Sequence, residues 1–144
     1  MIIEVDKKKV FASDAGLTFD INKETVILLH GSGQSHVVWS LTEQYISSLG
    51  FNVLTIDLPG HGNSEGESLK SIEEIAVWLD KLLNKIGTKQ VTIVGHSQGC
   101  LVSLEFSLRF PQKVKKLVFV AGAYEIPVNK SLSLIHISEP TRPY

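Results

Sequence analysis

The pentapeptide Gly95-His96-Ser97-Gln98-Gly99 has the residue types and spacing for covalent chemistry. A β-branched run, Val91-Thr92-Ile93-Val94, leads into it, and Cys100-Leu101-Val102-Ser103-Leu104 opens a helical pattern after it. A serine between two glycines on a strand-to-helix turn is a nucleophile elbow, with the hydroxyl raised above the sheet on a strained turn. A Cβ at either glycine would collide with neighbouring backbone. The chemistry is acyl transfer through Ser97, which needs hydrogen-bond donors for the developing oxyanion. His30-Gly31-Ser32-Gly33, after another apolar run, offers the Ser32 N–H. The Gln98 N–H is its expected partner, because a helix N-terminus favours negative charge.

A third loop, Asp57-Leu58-Pro59-Gly60-His61-Gly62-Asn63-Ser64, invites a catalytic reading of His61. A histidine between two glycines in a tight loop reads first as a structural hydrogen-bonder, and Asp57 as a brace through Asx-type bonds. His96 is expected to pack under the turn, and Cys100 to be a small residue for close helix–strand contact. Trp39 and Trp78 lie on helical faces and read as core or rim. No His/Cys/Asp cluster has metal-ligand spacing, and no cofactor is called for.

Elements that could position these loops alternate along the chain. Val10-Phe11-Ala12 and Leu17-Thr18-Phe19-Asp20-Ile21 read as strands joined at Asp14-Ala15-Gly16. Thr25-Val26-Ile27-Leu28-Leu29 and Phe51-Asn52-Val53-Leu54-Thr55-Ile56 read as strands covered on both faces. Between them Ser35 to Leu49 is helical, with Val38, Leu41, Tyr45, Ile46 and Leu49 at helical spacing and Gly50 as the stop. Ile72, Ile75, Ala76, Leu79, Leu82, Leu83 and Ile86 mark a second helix that Gly87 ends. A helix from Gln98 stops before Pro111, and Lys116 to Ala121 is the last strand. The alternation predicts an α/β fold with a doubly wound, mostly parallel sheet.

Bulk properties narrow the class. The 144 residues suit one domain, and 43% hydrophobic with 20% charged residues is a globular composition. A net charge of −1 gives no reason to expect nucleic acid, and Lys7-Lys8-Lys9 and Lys113/Lys115/Lys116 read as solvated element ends. One cysteine excludes an internal disulfide and suits a reducing cytoplasm. The first residues lack the basic and apolar regions of a signal peptide, and no stretch approaches the ~20 apolar residues of a membrane span.

Together, His30-Gly31-Ser32-Gly33, Asp57 to Ser64, Gly95 to Gly99 and the Arg109-Phe110-Pro111 helix end resemble the α/β-hydrolase superfamily, in the branch with a lid after the sixth strand. The resemblance covers roughly residues 8–128. It implies Ser97 as nucleophile, the Ser32 and Gln98 amides as oxyanion hole, and a following acid and histidine in the order Ser…Asp/Glu…His. Serine at the elbow argues against dehalogenase and epoxide-hydrolase relatives, which place an aspartate there.

The chain departs from that pattern after the sixth strand, so the acid and base are expected to be absent from it. Glu125 stands where some relatives carry the acid, but Gly122 to Val128 reads as the entry to a lid. His136 follows Ser97 in the required order, yet Leu132-Ser133-Leu134-Ile135-His136-Ile137-Ser138-Glu139-Pro140-Thr141-Arg142 matches, residue for residue, a translated transposase sequencing adapter. The other reading is a Ser/Leu-rich lid segment. The adapter reading divides the chain into residues 1–130, the N-terminal half of a hydrolase domain with strands 1–6, and 131–144, a non-native tail. It leaves Leu117-Val118-Phe119-Val120 as a bare sheet edge and predicts an insoluble or molten, inactive chain.

The functional expectation is a serine hydrolase that cleaves small carboxylic esters or thioesters. Rival uses of the same elbow are carbon–carbon hydrolysis, acyl transfer, lyase or perhydrolase chemistry. A non-catalytic binding protein on this fold is the rival from another class.

Overall fold

The computed structural model describes residues 1–122, and Glu125 and His136 lie outside them. Six strands form one sheet, β1 (Ile2–Val5), β2 (Lys8–Ser13), β3 (Thr25–Leu29), β4 (Asn52–Ile56), β5 (Val91–His96) and β6 (Val114–Val120), in the order β1-β2-β4-β3-β5-β6. β4, β3, β5 and β6 run parallel, while β1 and β2 are antiparallel additions at one edge. Every residue of β3 and β4 is buried, which explains why both read as unbroken apolar runs.

The first strand pair differs from the sequence expectation. The hairpin is β1–β2, closed by Asp6 and Lys7, both with positive φ as a two-residue primed turn requires. Leu17 to Ile21 is no strand, although the turn before it is present, with Leu17 N–H bonded to Asp14 O at 3.0 Å. β1 and β4 already occupy both edges of β2. The Asn52 side chain serves this segment instead, accepting from Asp20 N–H at 3.0 Å and donating to Asp20 O at 2.6 Å.

The two faces are covered by different helices. Ile27, Leu29, Leu54, Ile56 and Ile93 point to one side, packed with α2 (Ile72–Ile86) and α3 (Gln98–Arg109). Val26, Leu28, Val53 and Val94 point to the other, under Trp39 and Ile46 from a 3-10 turn (His36–Trp39) and α1 (Ser40–Ser48). This period of two is the doubly wound arrangement expected. α2 carries its own stops: Ser71 Oγ accepts from Glu74 N–H at 3.1 Å, and Gly87 takes a left-handed φ of 83°. Its fully buried Leu79 and Leu82 each contribute about 2 kcal/mol of transfer free energy. Both tryptophans are core residues, 6% exposed.

α1 faces the sheet with a different stripe from the one its aliphatic residues suggest. Trp39, Glu43 and Ile46 turn inward, and Val38, Leu41, Tyr45 and Leu49 are exposed. The reason is polar: buried Glu43 accepts from Ser13 Oγ at 2.6 Å and from Ala15 N–H at 3.0 Å, tying α1 to the end of β2.

Among the described residues β6 pairs only with β5, and Val118, Phe119 and Val120 stand 45%, 51% and 38% exposed. An apolar open edge templates further strand pairing. Phe119→Lys is therefore expected to cut light scattering of the purified chain severalfold at equal concentration. Equal scattering from both proteins would place self-association elsewhere. Among the described residues no helix is long and apolar enough to cross a membrane.

Candidate active site

Three loops leave the carboxyl ends of β3, β4 and β5, the edge where open α/β sheets bind ligands. Ser97 sits between β5 and α3 with φ 52° and ψ −114°, a backbone conformation costing a non-glycine residue about 1–3 kcal/mol. Its surroundings hold it there. Ser97 N–H donates to Val120 O at 3.0 Å, and Ser97 O accepts from Cys100 N–H at 2.9 Å. A Cβ on Gly95 would lie 2.6 Å from Cys100 N, and one on Gly99 would lie 2.5 Å from Leu29 O. The elbow can form only where strand and helix backbones touch, as the two glycines implied.

The β3 loop stands against this turn: a Cβ built on Gly31 would be 3.1 Å from Ser97 Cβ. Ser32, the next residue, is half-buried, and among the described residues its N–H has no hydrogen-bond partner. Gln98 is buried at the first position of α3, where a helix leaves its N–H unpaired internally. Ser97 Oγ likewise has no hydrogen-bond partner among the described residues.

The loops are clamped by side chains whose partners the sequence did not show. Asp57 is fully buried; its carboxylate accepts from His36 N–H at 2.6 Å, His36 Nδ1 at 2.9 Å and Asn63 N–H at 2.8 Å. The expected bracing role is thus met by longer reach, across to the β3 loop, instead of by short Asx-type bonds. His61 Nδ1 bonds Pro59 O at 3.0 Å and its ring packs tilted on His30, as a structural hydrogen-bonder would. His96 reaches sideways from the turn: Nδ1 lies 3.0 Å from Gln34 Oε1, and the ring meets Trp39 edge-on.

His30 links the β3 and β4 loops. Leu58 N–H donates to its Nε2 at 3.1 Å, so Nδ1 carries the hydrogen given to Gly31 O at 2.8 Å. Burial, aided by nearby His61, pulls the His30 pKa below the usual imidazole value. The unfolded chain takes up the proton first, so this contribution is complete above about pH 6.5 and is lost as pH falls through the lower folded-state pKa. Urea midpoints should fall more steeply from about pH 7 to 5 in the parent chain than in His30→Asn, by up to about 1.4 kcal/mol per pH unit. Parallel pH profiles would remove His30 as the cause.

Cys100 is no rival nucleophile. Burial raises its thiol pKa, and Sγ points to Gly95 O at 3.1 Å, so it fills the helix–strand contact in neutral form. Among the described residues no group of three or more His, Cys, Asp or Glu could hold a metal ion.

Comparison with known proteins fits this architecture. A family model described as the alpha/beta hydrolase fold matches residues 24–143. A 2-hydroxy-6-oxononadienedioate/2-hydroxy-6-oxononatrienedioate hydrolase of Pseudomonas putida is 36% identical over 105 residues, covering 69% of this chain and 37% of that protein. The chain spans about a third of the length of the curated relatives it matches. A structure from Thermoplasma acidophilum described as a predicted CIB-like hydrolase superposes with a TM-score of 0.76 at 26% identity, covering 86% of this chain and 62% of that one. A carboxylesterase structure from Nitrososphaera gargenis gives 0.79 at 22% identity, covering 94% and 50%, a likeness of fold. A mostly parallel sheet in the order β1-β2-β4-β3-β5-β6, a strained serine at the end of β5 and a family match over most of the chain agree: this chain belongs to the α/β-hydrolase fold family.

Proposed function

We propose that residues 1–130 are the nucleophile-bearing half of a serine hydrolase for carboxylic esters or thioesters, with residues 131–144 a non-native tail. The observation that carries the reading is Ser97, a non-glycine residue held at φ 52° between β5 and α3 beside the Gly31 loop. A histidine base supplied by the remainder of the intact protein takes the Ser97 Oγ proton as Oγ attacks the substrate carbonyl. The Ser32 and Gln98 N–H groups hold the tetrahedral oxyanion. Collapse breaks the bond to the alkoxide or thiolate, which leaves with the proton from the histidine. Water then releases the acid and restores Ser97. Small ester-like molecules are the partners this chemistry takes, and the cytoplasm is the compartment its single thiol suits.

The relative from Pseudomonas putida favours a second reading. Its printed substrate carries two carboxylates, a hydroxyl and a ketone but no ester, so carbon–carbon hydrolysis beside the ketone is the alternative for the same elbow.

The test joins residues 1–122 to the C-terminal remainder of that relative. Fluorophosphonate labelling at residue 97 with hydrolysis of p-nitrophenyl butyrate, both lost in Ser97→Ala, is the expected result. A folded chimera that takes no label would refute the nucleophile assignment, and labelling with turnover of the dioate but not the ester would favour the second reading. The 144-residue chain by itself should stay unlabelled, because no base touches Ser97 among its described residues.

A further inference from the structure

The geometry points to Gln34 as the positioning residue of the oxyanion loop: its carboxamide oxygen ties the loop to His96, the residue before Ser97, and occupies the Gly31 N–H. This rests on the proposed role of Ser97 and Ser32.

Gln34 Oε1 lies 2.9 Å from Gly31 N and 3.0 Å from His96 Nδ1. Gly31 N–H can only donate, so the oxygen of the carboxamide faces it. A carbonyl oxygen can only accept, so His96 Nδ1 must carry a hydrogen. One atom with two lone pairs thus serves two donors, one from each loop. The Gly31 carbonyl is also engaged, accepting from His30 Nδ1 at 2.8 Å and from Gln34 N–H at 3.3 Å. Both polar groups of Gly31 are consumed within the loop. The Ser32 N–H has no partner among the described residues, so it is an amide that the loop leaves able to donate.

The link also sets a distance. Gln34 Oε1, Ser97 Cβ and His96 Nδ1 all lie within 3.2 Å of where a Gly31 Cβ would stand, so the carboxamide fills the wedge between the loops. Asp57 holds the far end of the same loop through His36, and His30 holds the near end through Leu58. Those clamps anchor the loop to β4. Among the described residues, Gln34 is the side chain that hydrogen-bonds it to the elbow. A loop anchored only to β4 could drift from Ser97 without unfolding, and a small misplacement of an oxyanion donor is costly to catalysis.

The test uses the full 144-residue chain, uniformly 15N-labelled and carrying Phe119→Lys at the open β6 edge to limit self-association, with Gln34→Met, which keeps the length but removes the acceptor, and Gln34→Glu, which keeps the acceptor. Expected in Gln34→Met are Gly31 amide exchange faster by about tenfold or more, loss of the protected His96 Nδ1–H signal, and an unchanged urea midpoint. Gln34→Glu should restore both signals. Unchanged Gly31 exchange and His96 tautomer in Gln34→Met would overturn the proposal. So would changes that appear only in step with a lowered midpoint, or a Glu variant that behaves like Met. None of these readouts requires turnover. A chimera with an unreactive Ser97 would sink the catalytic reading and leave this linkage standing, whereas a failed exchange test would sink the linkage alone.

Discussion

Ser97→Gly is expected to stabilise the chain by about 1 kcal/mol while removing its hydroxyl. Ser97 carries φ 52° and ψ −114°, and the strain of such a conformation is about 1–3 kcal/mol for a residue with a Cβ. Glycine adopts it freely but gives back about 0.5–1 kcal/mol through the greater freedom of the unfolded chain. The balance stays favourable. Ser97→Ala separates the two effects, since it loses the hydroxyl and keeps the Cβ, and its stability should stay within about 0.5 kcal/mol of the parent. Urea midpoints of the three proteins decide it. A glycine variant about 0.5–1 kcal/mol below the alanine variant would mean the backbone stores no strain at this turn, and equal midpoints would mean strain no larger than glycine's unfolded-state cost. A gain confined to glycine would mark the exchange of stability for a raised hydroxyl, a trade common at catalytic positions.

The largest loss is expected at the glycines that let the turn form. In Gly99→Ala the new Cβ would meet Leu29 O at 2.5 Å and His30 O at 3.1 Å, both backbone atoms of the central strand and its loop. Neither can rotate away as a side-chain tip could. The amino end of α3 must lift from β3, carrying the Gln98 N–H with it, at a cost of about 3 kcal/mol. Gly95→Ala meets Cys100 N at 2.6 Å from the opposite side and should cost a similar amount. Gly87→Ala is the control. It has a φ of 83° but nothing within 4 Å of the added methyl, so only the conformational penalty of about 1 kcal/mol applies. Thermal or urea unfolding should rank the variants Gly99 and Gly95 well below Gly87. If Gly99→Ala and Gly95→Ala fell no further than Gly87→Ala, close backbone approach would not be what these two positions require, since neither has a positive φ.

The exposed stripe on α1 and the hairpin at the amino end show where reading by periodicity stops. Val38, Leu41, Tyr45, Ile46 and Leu49 have the spacing of a buried face, and so do Trp39, Glu43 and Ile46, which share only Ile46 with them. An apolar count favours the first set. The structure buries the second because Ser13 Oγ and Ala15 N–H need an acceptor there and Glu43 supplies it. Leu17 to Ile21 likewise has strand-like residues, but a strand needs a free neighbouring edge, and β2 has none to offer. Both outcomes depend on groups distant in the chain. By contrast the apolar period of α2 and its Gly87 stop were legible because both are local, and the structure adds a Ser71 cap that is local too.

What the sequence by itself determined is the set of local necessities: buried strands as apolar runs, the glycines about Ser97, and a serine instead of an aspartate at the strand-to-helix turn. These follow from steric and hydrogen-bonding demands that act within a few residues. Tertiary structure alone decided how the three loops meet. The clamps of Asp57 on His36, His30 on Leu58 and Gln34 on His96 span 21, 28 and 62 residues. Their pairing has no period and no motif, since a polar side chain shows its partner only after the sheet has brought the strand ends together.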